Sequence, residues 1–347
     1  MAPVLTEGPA ESRRPRNRKG AASRCAEPPL LSIVVPNWQG EQWLGRCLSA
    51  LQVSARAAGH PFELIVVDDA SSDSSVAVIR ERFPRVRLFV NKRNAGFARS
   101  VNRGIRAARG RVLVLANNDI VCAQDFIGRL TEWFPDSGRG GGAPLFAVSA
   151  RTVSWYDGRP NQLCMGAVWQ GGRITPAWSD PADPSPCLFA QAGAAAYDIQ
   201  LVRTLGGLST LFEPGYWEDY DLSWRAARRG WRQIYDPHAF ALHAGGGSMT
   251  KRFGAARVAA MKGRNHLLFE LAHLRSPQLL AQWSARIPLR LARDCADGSW
   301  RQPHSFSRAM QEALPRLREA LAMRLSEPAG VSDLSLLAPW ASFKPSY

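Results

Sequence analysis

The chain has 347 residues, 46% of them hydrophobic and 21% charged, with a net charge of +15. That is a globular composition, long enough for one large or two modest cores, and no apolar run approaches the ~18 residues a membrane span requires. Six cysteines (Cys25, Cys47, Cys122, Cys164, Cys187, Cys295) form no Cys-x-x-Cys pair and no metal-ligand spacing. This argues against a zinc site or a disulfide framework, and a reducing cytoplasmic setting is expected.

The charge is uneven. Residues 1–29 carry six basic and three acidic side chains, and residues 251–347 carry fifteen and seven, so the two ends hold +11 of the +15. Such ends suit an anionic partner: nucleic acid, a membrane surface or a phosphorylated substrate. A GC-rich coding sequence would explain the excess equally well, since only five of the 44 basic residues are Lys. RRPRNRKG near the start is followed by no apolar stretch, so it does not read as a signal peptide, and residues 1–29 read as a disordered basic arm.

Order is expected from LLSIVVPNWQG onward. Leu30 to Val35 is a continuous apolar, β-branched run, the pattern of a strand covered on both faces, and Pro36 is expected to end it. Residues 41–58 have helical spacing. FELIVVDDASSD gives a second buried strand over Phe62 to Val67, then a helix from about Ser74 to Arg82. RVRLFVN is a third strand, AGFARSVNRGIRAARG a helix closed by Gly110, and Val112 to Ala116 a fourth strand. Strand and helix alternate, the signature of a parallel sheet with helices on both faces.

The second half is less regular. PDSGRGGGAP (135–144) reads as a glycine-rich loop, and PAWSDPADPSP (176–186) as a surface loop or lid. LFAQAGAAAYDIQLVRTLGGL holds a small-residue strand and a helix ended by Gly206-Gly207. Beyond residue 252 the chain reads as mainly helical, with amphipathic spacing in KGRNHLLFELAHL and SFSRAMQEALPRLREALAMRL.

In open α/β sheets, ligands sit outside the carboxyl ends of the strands. Three ends here are polar: Pro36-Asn37-Trp38, Asp68-Asp69 and Asn117-Asn118-Asp119. One polar end alone would signify little, because every strand must end in something polar; three in succession point to a site. No GxGxxG follows the first or second strand and no GxxxxGK[ST] occurs, so the sheet lacks a glycine cradle for phosphate. Acids at strand ends instead suit Mg²⁺ or Mn²⁺ bridging a nucleotide diphosphate, which needs only one or two protein carboxylates.

Two further clusters carry chemistry. In PGYWEDYDLSWRAARRGW, Glu218, Asp219 and Asp221 stand at a helix start, and Leu222, Trp224, Arg225 and Ala226 begin what reads as a basic amphipathic helix. The helix dipole accounts for acids there. It does not account for two adjacent acids set among Tyr216, Trp217 and Tyr220, where burial would raise a carboxyl toward general-base usefulness. In FALHAGGGSMT, His243 ends a short apolar strand before three glycines and Ser248; a lone His is usually structural, but one before a flexible run can reach a metal or phosphate.

LSIVVPNW, ELIVVDDASSD, NAGFARSVNRGIRAARGRVLVLANND, GYWEDYDLSWRAARRGW and HAGGGS occur in the order and at about the spacing seen in family 2 glycosyltransferases of the GT-A fold. The resemblance spans residues 30 to about 270, and bacterial rhamnosyltransferase-like members look most similar, through WEDYDL, HAGGGS and RNHLLFEL. It implies a GT-A type α/β fold: a mostly parallel twisted sheet flanked by helices, with a helical C-terminal extension over 276–347. The transferase domain would cover 30–275, with a nucleotide-binding half (30–134) and an acceptor and catalytic half (135–275).

Residue by residue, the resemblance puts Pro36, Asn37 and Trp38 against the nucleobase, with Trp38 available to stack. Asp69, with Asp68 beside it, matches the acid that binds the base, and Asn94, opening the third motif, belongs to the same nucleotide-sugar set. Asn117-Asn118-Asp119 matches the DxD-type motif, in which the last acid holds the divalent cation; His243 matches a further metal ligand of some members. Asp219 of Glu218-Asp219 matches the catalytic base. The implied reaction is an inverting displacement from a UDP- or dTDP-type sugar to a hydroxyl of a polysaccharide or lipid-linked glycan, in cell-envelope polysaccharide synthesis. With amides at 117 and 118, Asp119 is the loop's single carboxylate, and weak metal binding without nucleotide is expected.

A nucleotidyltransferase would share the sheet but open with a glycine-rich basic loop, absent from PNWQGEQW. A nucleic-acid binder would rest on charge alone, since the basic helices show no recognised motif, so no nucleic acid is expected. A degenerate transferase that has lost metal is the third alternative. The basic C-terminal region, WSARIPLRLARDCADGSWRQ, either lies on an anionic membrane at the inner face of the plasma membrane or packs on the catalytic domain.

Overall fold

The computed structural model describes residues 31–134, 142–245 and 247–341. The arm expected at 1–29 and most of the loop expected at 135–144 lie outside the described residues.

β1 (Leu31–Asn37), α1 (Glu41–Ala57), β2 (Phe62–Asp68), α2 (Ser75–Arg82), β3 (Arg87–Val90), α3 (Phe97–Ala107) and β4 (Val112–Ala116) follow one another as expected. β4, β1, β2 and β3 lie side by side in parallel. The unbroken apolar runs have a plain cause: alternate side chains enter different cores. Ile33, Val35, Leu64, Val66 and Val114 pack with Leu44, Leu48 and Leu51 of α1. Their neighbours Val34, Ile65, Val67, Leu113 and Leu115 pack with Val101 and Ile105 of α3. α3 presses so close to β1 that a Cβ on Gly104 would lie 2.3 Å from a Val34 methyl.

The second half adds β5 (Ile120–Cys122), α4 (Phe126–Thr131), β6 (Leu145–Ser154), β7 (Pro160–Gln162), β8 (Cys164–Gln170), β9 (Arg173–Ser179), β10 (Ser185–Pro186), β11 (Ala194–Asp198), α5 (Ile199–Thr204), α6 (Glu218–Arg228) and β12 (Arg232–His243). The main sheet runs β10-β12-β6-β11-β4-β1-β2-β3, while β8 and β9 form a separate hairpin. β11 is antiparallel to both β4 and β6, which leaves β6 parallel to β4 and brings its carboxyl end to the same edge.

The helical end comprises α7 (Gly247–Phe253), α8 (Ala255–His273), α9 (Pro277–Ala285), α10 (Ile287–Ala296), α11 (Phe306–Ala313), α12 (Leu317–Ser326) and α13 (Asp333–Leu337). It shares one core with the hairpin and with α6: Leu268 and Phe269 of α8, Trp283, Phe306 and Trp340 meet Met165 of β8 and Trp224 of α6. Among the described residues, no helix is long and apolar enough to cross a membrane.

Four local expectations are corrected. Pro36 does not end β1, which continues to Asn37; pairing with β4 stops at Val34, so the missing Pro36 N–H falls where that side has become an edge. α3 ends at Ala107 rather than Gly110, whose N–H donates to Ser32 Oγ at 2.8 Å. Residues 176–179 are not loop but part of β9, with Pro176 facing Ala167. α6 is not a basic surface helix, for every residue from Asp221 to Arg228 is buried. Its arginines read as surface charge in the sequence, yet Arg225 pairs with Asp221 at 2.7 Å and Arg228 pairs with Asp333 of α13.

Candidate active site

The carboxyl ends of β1, β2 and β4 open into one cleft of about 330 Å³. Pro36, Asn37, Trp38, Asp69, Asn94, Asn117, Asn118, Asp119, Glu218, Asp219 and His243 all line it. Two of the acids singled out in the sequence, Asp68 and Asp221, do not line it and are fully buried.

Asp68 has a partner chain of its own. Its carboxylate accepts from Asn37 Nδ2 at 2.7 Å and from the Ser71 N–H at 2.9 Å, and Asn37 Oδ1 in turn accepts from Asn118 Nδ2 at 2.7 Å. Three strand ends are thereby tied by directed hydrogen bonds. Gly40 is fitted to this link, because a Cβ there would lie 2.1 Å from Asn37 Oδ1. Asp69 is equally engaged: it accepts from the Ala95 and Gly96 N–H groups at 2.7 and 2.8 Å and from Asn91 Nδ2 at 2.6 Å. Its backbone carbonyl accepts from Asn94 Nδ2 at 3.2 Å, which fixes the turn into α3.

Asp119 and His243 are far apart in sequence and meet because β5 pairs with β12, His243 opposite Ile120. Asp119 Oδ1 lies 3.1 Å from His243 Nε2, each side chain 21% exposed. Among the described residues there is no group of three or more His, Cys, Asp or Glu side chains fit to hold a metal. On its own the pair would offer a divalent cation only two donors, an oxygen and an imidazole nitrogen, and the remainder would have to come from a ligand and water.

The three acids of α6 separate by environment. Burial pushes Asp221 up, but Arg225 and His273 outweigh it and hold this carboxyl below the ordinary range. Glu218 and Asp219 face the cleft without cationic partners. Burial, reinforced by the neighbouring Asp219 charge, pushes Glu218 to about 8. Burial likewise raises Asp219 to about 6, against the hydrogen bond it accepts from the Tyr220 N–H. Two carboxyls so placed titrate as a unit.

Strain gathers here too. The non-glycine residues with left-handed backbone among the described residues are Gln39, Ala70, Tyr216 and Trp217, with φ of 51°, 60°, 72° and 78°. Each lines the cleft or adjoins a residue that does. Such conformations persist only where the surroundings enforce them.

The sequence reading missed Arg252 of α7. Its guanidinium lies 4.8 Å over the Trp38 ring and donates to Asn94 Oδ1 at 2.6 Å, at the mouth of the cleft. A basic residue following the His243 glycine run was the available signal. Asn265 and His266, noticed only as part of RNHLLFEL, also support the site: His266 stacks on Trp217 with centroids 4.3 Å apart and 16° between planes.

Residues 32–158 match the model of glycosyl transferase family 2. An undecaprenyl-phosphate 4-deoxy-4-formamido-L-arabinose transferase of Pseudomonas fluorescens is 32% identical over 106 residues, 29% of this chain and 31% of that protein. The chain spans 31%, 39% and 30% of the first three curated relatives it matches, about a third of their length. An N-acetylglucosaminyl-diphospho-decaprenol L-rhamnosyltransferase of Mycobacterium tuberculosis is 25% identical over 292 residues, 76% of this chain and 91% of that one. In fold, the chain is similar to GalNAc-T7, solved with UDP, GalNAc and Mn²⁺, at a TM-score of 0.55 and 14% identity, covering 88% of this chain and 59% of the other. With its alternating sheet, polar strand ends and buried acidic pair, the chain is similar to these glycosyltransferases, and residues 32–158 carry the pattern of glycosyl transferase family 2.

Proposed function

We propose that the protein transfers a sugar from a nucleoside-diphosphate sugar, of UDP or dTDP type, to a hydroxyl of a lipid-linked or polysaccharide acceptor, with inversion. The observation that carries this reading is one cleft bringing Asp219 together with Asp119, His243 and three polar strand ends. Lipid-linked acceptors are favoured because relatives named for undecaprenyl phosphate and for a diphospho-decaprenol share this sequence pattern.

In this reading Trp38 offers a face to the nucleobase, and Pro36, Asn37, Asp69, Asn94, Asn117 and Asn118 shape the nucleoside pocket, with Asp68 holding Asn37 from behind. Arg252 brings a positive charge to the mouth, where a diphosphate would be neutralised. Asp119 and His243 would hold Mg²⁺ or Mn²⁺, which when bound neutralises charge developing on the departing diphosphate. Asp219, raised by burial yet ionised at neutral pH, takes the proton from the acceptor hydroxyl as its oxygen attacks the anomeric carbon. Glu218, held protonated by burial, adds no second charge beside that base and can donate a hydrogen bond to a sugar hydroxyl.

Contact with a membrane surface belongs to the same proposal. Leu289 and Trp300, 66% and 41% exposed, stand beside Arg286, Arg293 and Arg301 on the outer side of the helical end. Co-sedimentation with anionic vesicles tests it, and full-length protein that stays in the supernatant refutes it.

The test of activity is a donor screen by nucleoside diphosphate release, with lipid-linked and polysaccharide acceptors added in turn. Asp219→Asn is expected to abolish transfer while nucleotide-sugar affinity is kept; normal turnover by that variant would remove Asp219 from the role.

A further inference from the structure

The segment that presents Asp219 is tied to α8 by side-chain hydrogen bonds to its carbonyls. Residues 212–217 lead into α6 through two left-handed residues, Tyr216 and Trp217; backbone bonds reach only the Phe212 carbonyl, from Gly215 N–H at 3.1 Å, and the Trp217 carbonyl, from Asp221 N–H at 2.9 Å. One side chain gathers three of the segment's carbonyls. Asn265 of α8 is fully buried, and its Nδ2 lies 2.7 Å from the Phe212 carbonyl oxygen and 2.9 Å from those of Gly215 and Tyr216. Its Oδ1 accepts from Arg264 Nε at 2.8 Å, and Arg264 itself donates to the Glu213 carbonyl at 2.5 Å. One residue later His266 lies flat on Trp217, the residue that starts α6.

Resting on the transferase reading above, we infer that Asn265 is the positioning residue for Asp219: by gathering the 212–216 carbonyls it enforces the strained turn that aims the base into the cleft. α8 thus completes a site whose other parts come from the sheet edge. An amide is required, since a carboxylate would face three carbonyl oxygens with no proton to share. Loss of the tether would let Tyr216 and Trp217 relax toward ordinary backbone, carrying the start of α6 with them. A displacement of about 1 Å at a reacting group costs on the order of 10²-fold in rate.

The test is Asn265→Ala in the full chain, measured for nucleoside diphosphate affinity by calorimetry, for kcat and acceptor KM, and for the pH dependence of kcat. The expected result is affinity within about threefold of wild type, kcat lower by about 10²-fold and an acid limb moved to lower pH. That movement follows because burial is the main cause raising Asp219, and a loosened turn admits water. The ionisable groups around it are Glu218, Asp221 and Tyr197, all unaltered in the variant. Asn265→Gln keeps the amide on a longer arm and is expected to retain part of the lost kcat, which keeps the inference testable should the Ala variant fold poorly. A purely structural role would lower the melting temperature of both variants while folded protein turned over at the wild-type rate with the same acid limb, and that result overturns the inference. Wild-type protein that binds no nucleoside diphosphate and transfers no sugar overturns the transferase reading itself, and the inference with it.

Discussion

Glu218→Gln is expected to stabilise the protein increasingly as pH rises. Glu218 is 8% exposed, its carboxyl has no cationic partner, and its Oε2 is buried without a hydrogen-bond partner. Burial and Asp219 raise it from its ordinary 4.5 to about 8. A group raised on folding contributes stability that is complete below its unfolded value and is lost as pH climbs through its folded value. The window here runs from about pH 4.5 to about pH 8. At about 1.36 kcal/mol per pH unit, the whole loss is on the order of 5 kcal/mol, of which about 4 kcal/mol falls between pH 5 and pH 9. Gln keeps the shape and never ionises, so its urea stability should decline less over that range, the two proteins diverging by several kcal/mol at pH 9. Titration together with Asp219 moves part of the effect toward the acid end without changing its sign. Parallel stability curves for wild type and Glu218→Gln from pH 5 to pH 9 would refute the reasoning, because they would mean the carboxyl is hydrated or paired.

The same burial sets the expected activity profile: kcat for transfer should rise through about pH 6, where Asp219 loses its proton, and a limb near pH 4 would show a base in water. Asp119→Ala should abolish the strengthening of UDP or dTDP binding by Mn²⁺ in calorimetry, while Asn117→Ala should leave it largely intact. Asn117 is held through its backbone, its N–H donating to the Gly193 carbonyl and its own carbonyl accepting from the Ile120 N–H and the Cys47 thiol. Asn118→Asp is expected to destabilise by about 1–3 kcal/mol in urea titration rather than to tighten cation binding; equal stability with tighter Mn²⁺ binding would contradict this.

The parallel half of the fold was legible because its signal is local. Two-sided burial writes continuous apolar runs, and helices between them keep the 3.6-residue period, so Val112 to Ala116 and Leu44, Leu48 and Leu51 could be placed from spacing alone. α6 was misread because its arginines are neutralised by residues remote in sequence, Arg228 by Asp333 of α13, and composition cannot show a partner. Residues 176–179 were misread for a similar reason: prolines and Asp mark loops on average, but a two-stranded hairpin tolerates Pro176 on an edge. At the site, residues that line the common cleft could be picked by type, as with Asp119, Asp219 and His243. Supporting residues were not: nothing in the letters RNH says that an amide will meet three carbonyls from a turn some fifty positions earlier.

The two amides before Asp119 show what kind of information the sequence withholds. Read along the chain, they look like acids that were lost. Read through the structure, the second is dictated from two strands away. Asp68 can only accept, so the Asn37 amide must turn its nitrogen toward Asp68, and that turns its oxygen toward residue 118. Position 118 must then donate, which Asn does and Asp at neutral pH does not. Installing Asp there leaves either Asn37 Oδ1 or the Asp68 carboxylate without its donor, and both are buried, so the cost is that of an unmade hydrogen bond. The direction of a hydrogen-bond chain, set by one acid at the end of β2, decides an amide in the loop after β4. The loop's negative charge is thereby confined to Asp119, beside His243, where the proposed reaction would require it.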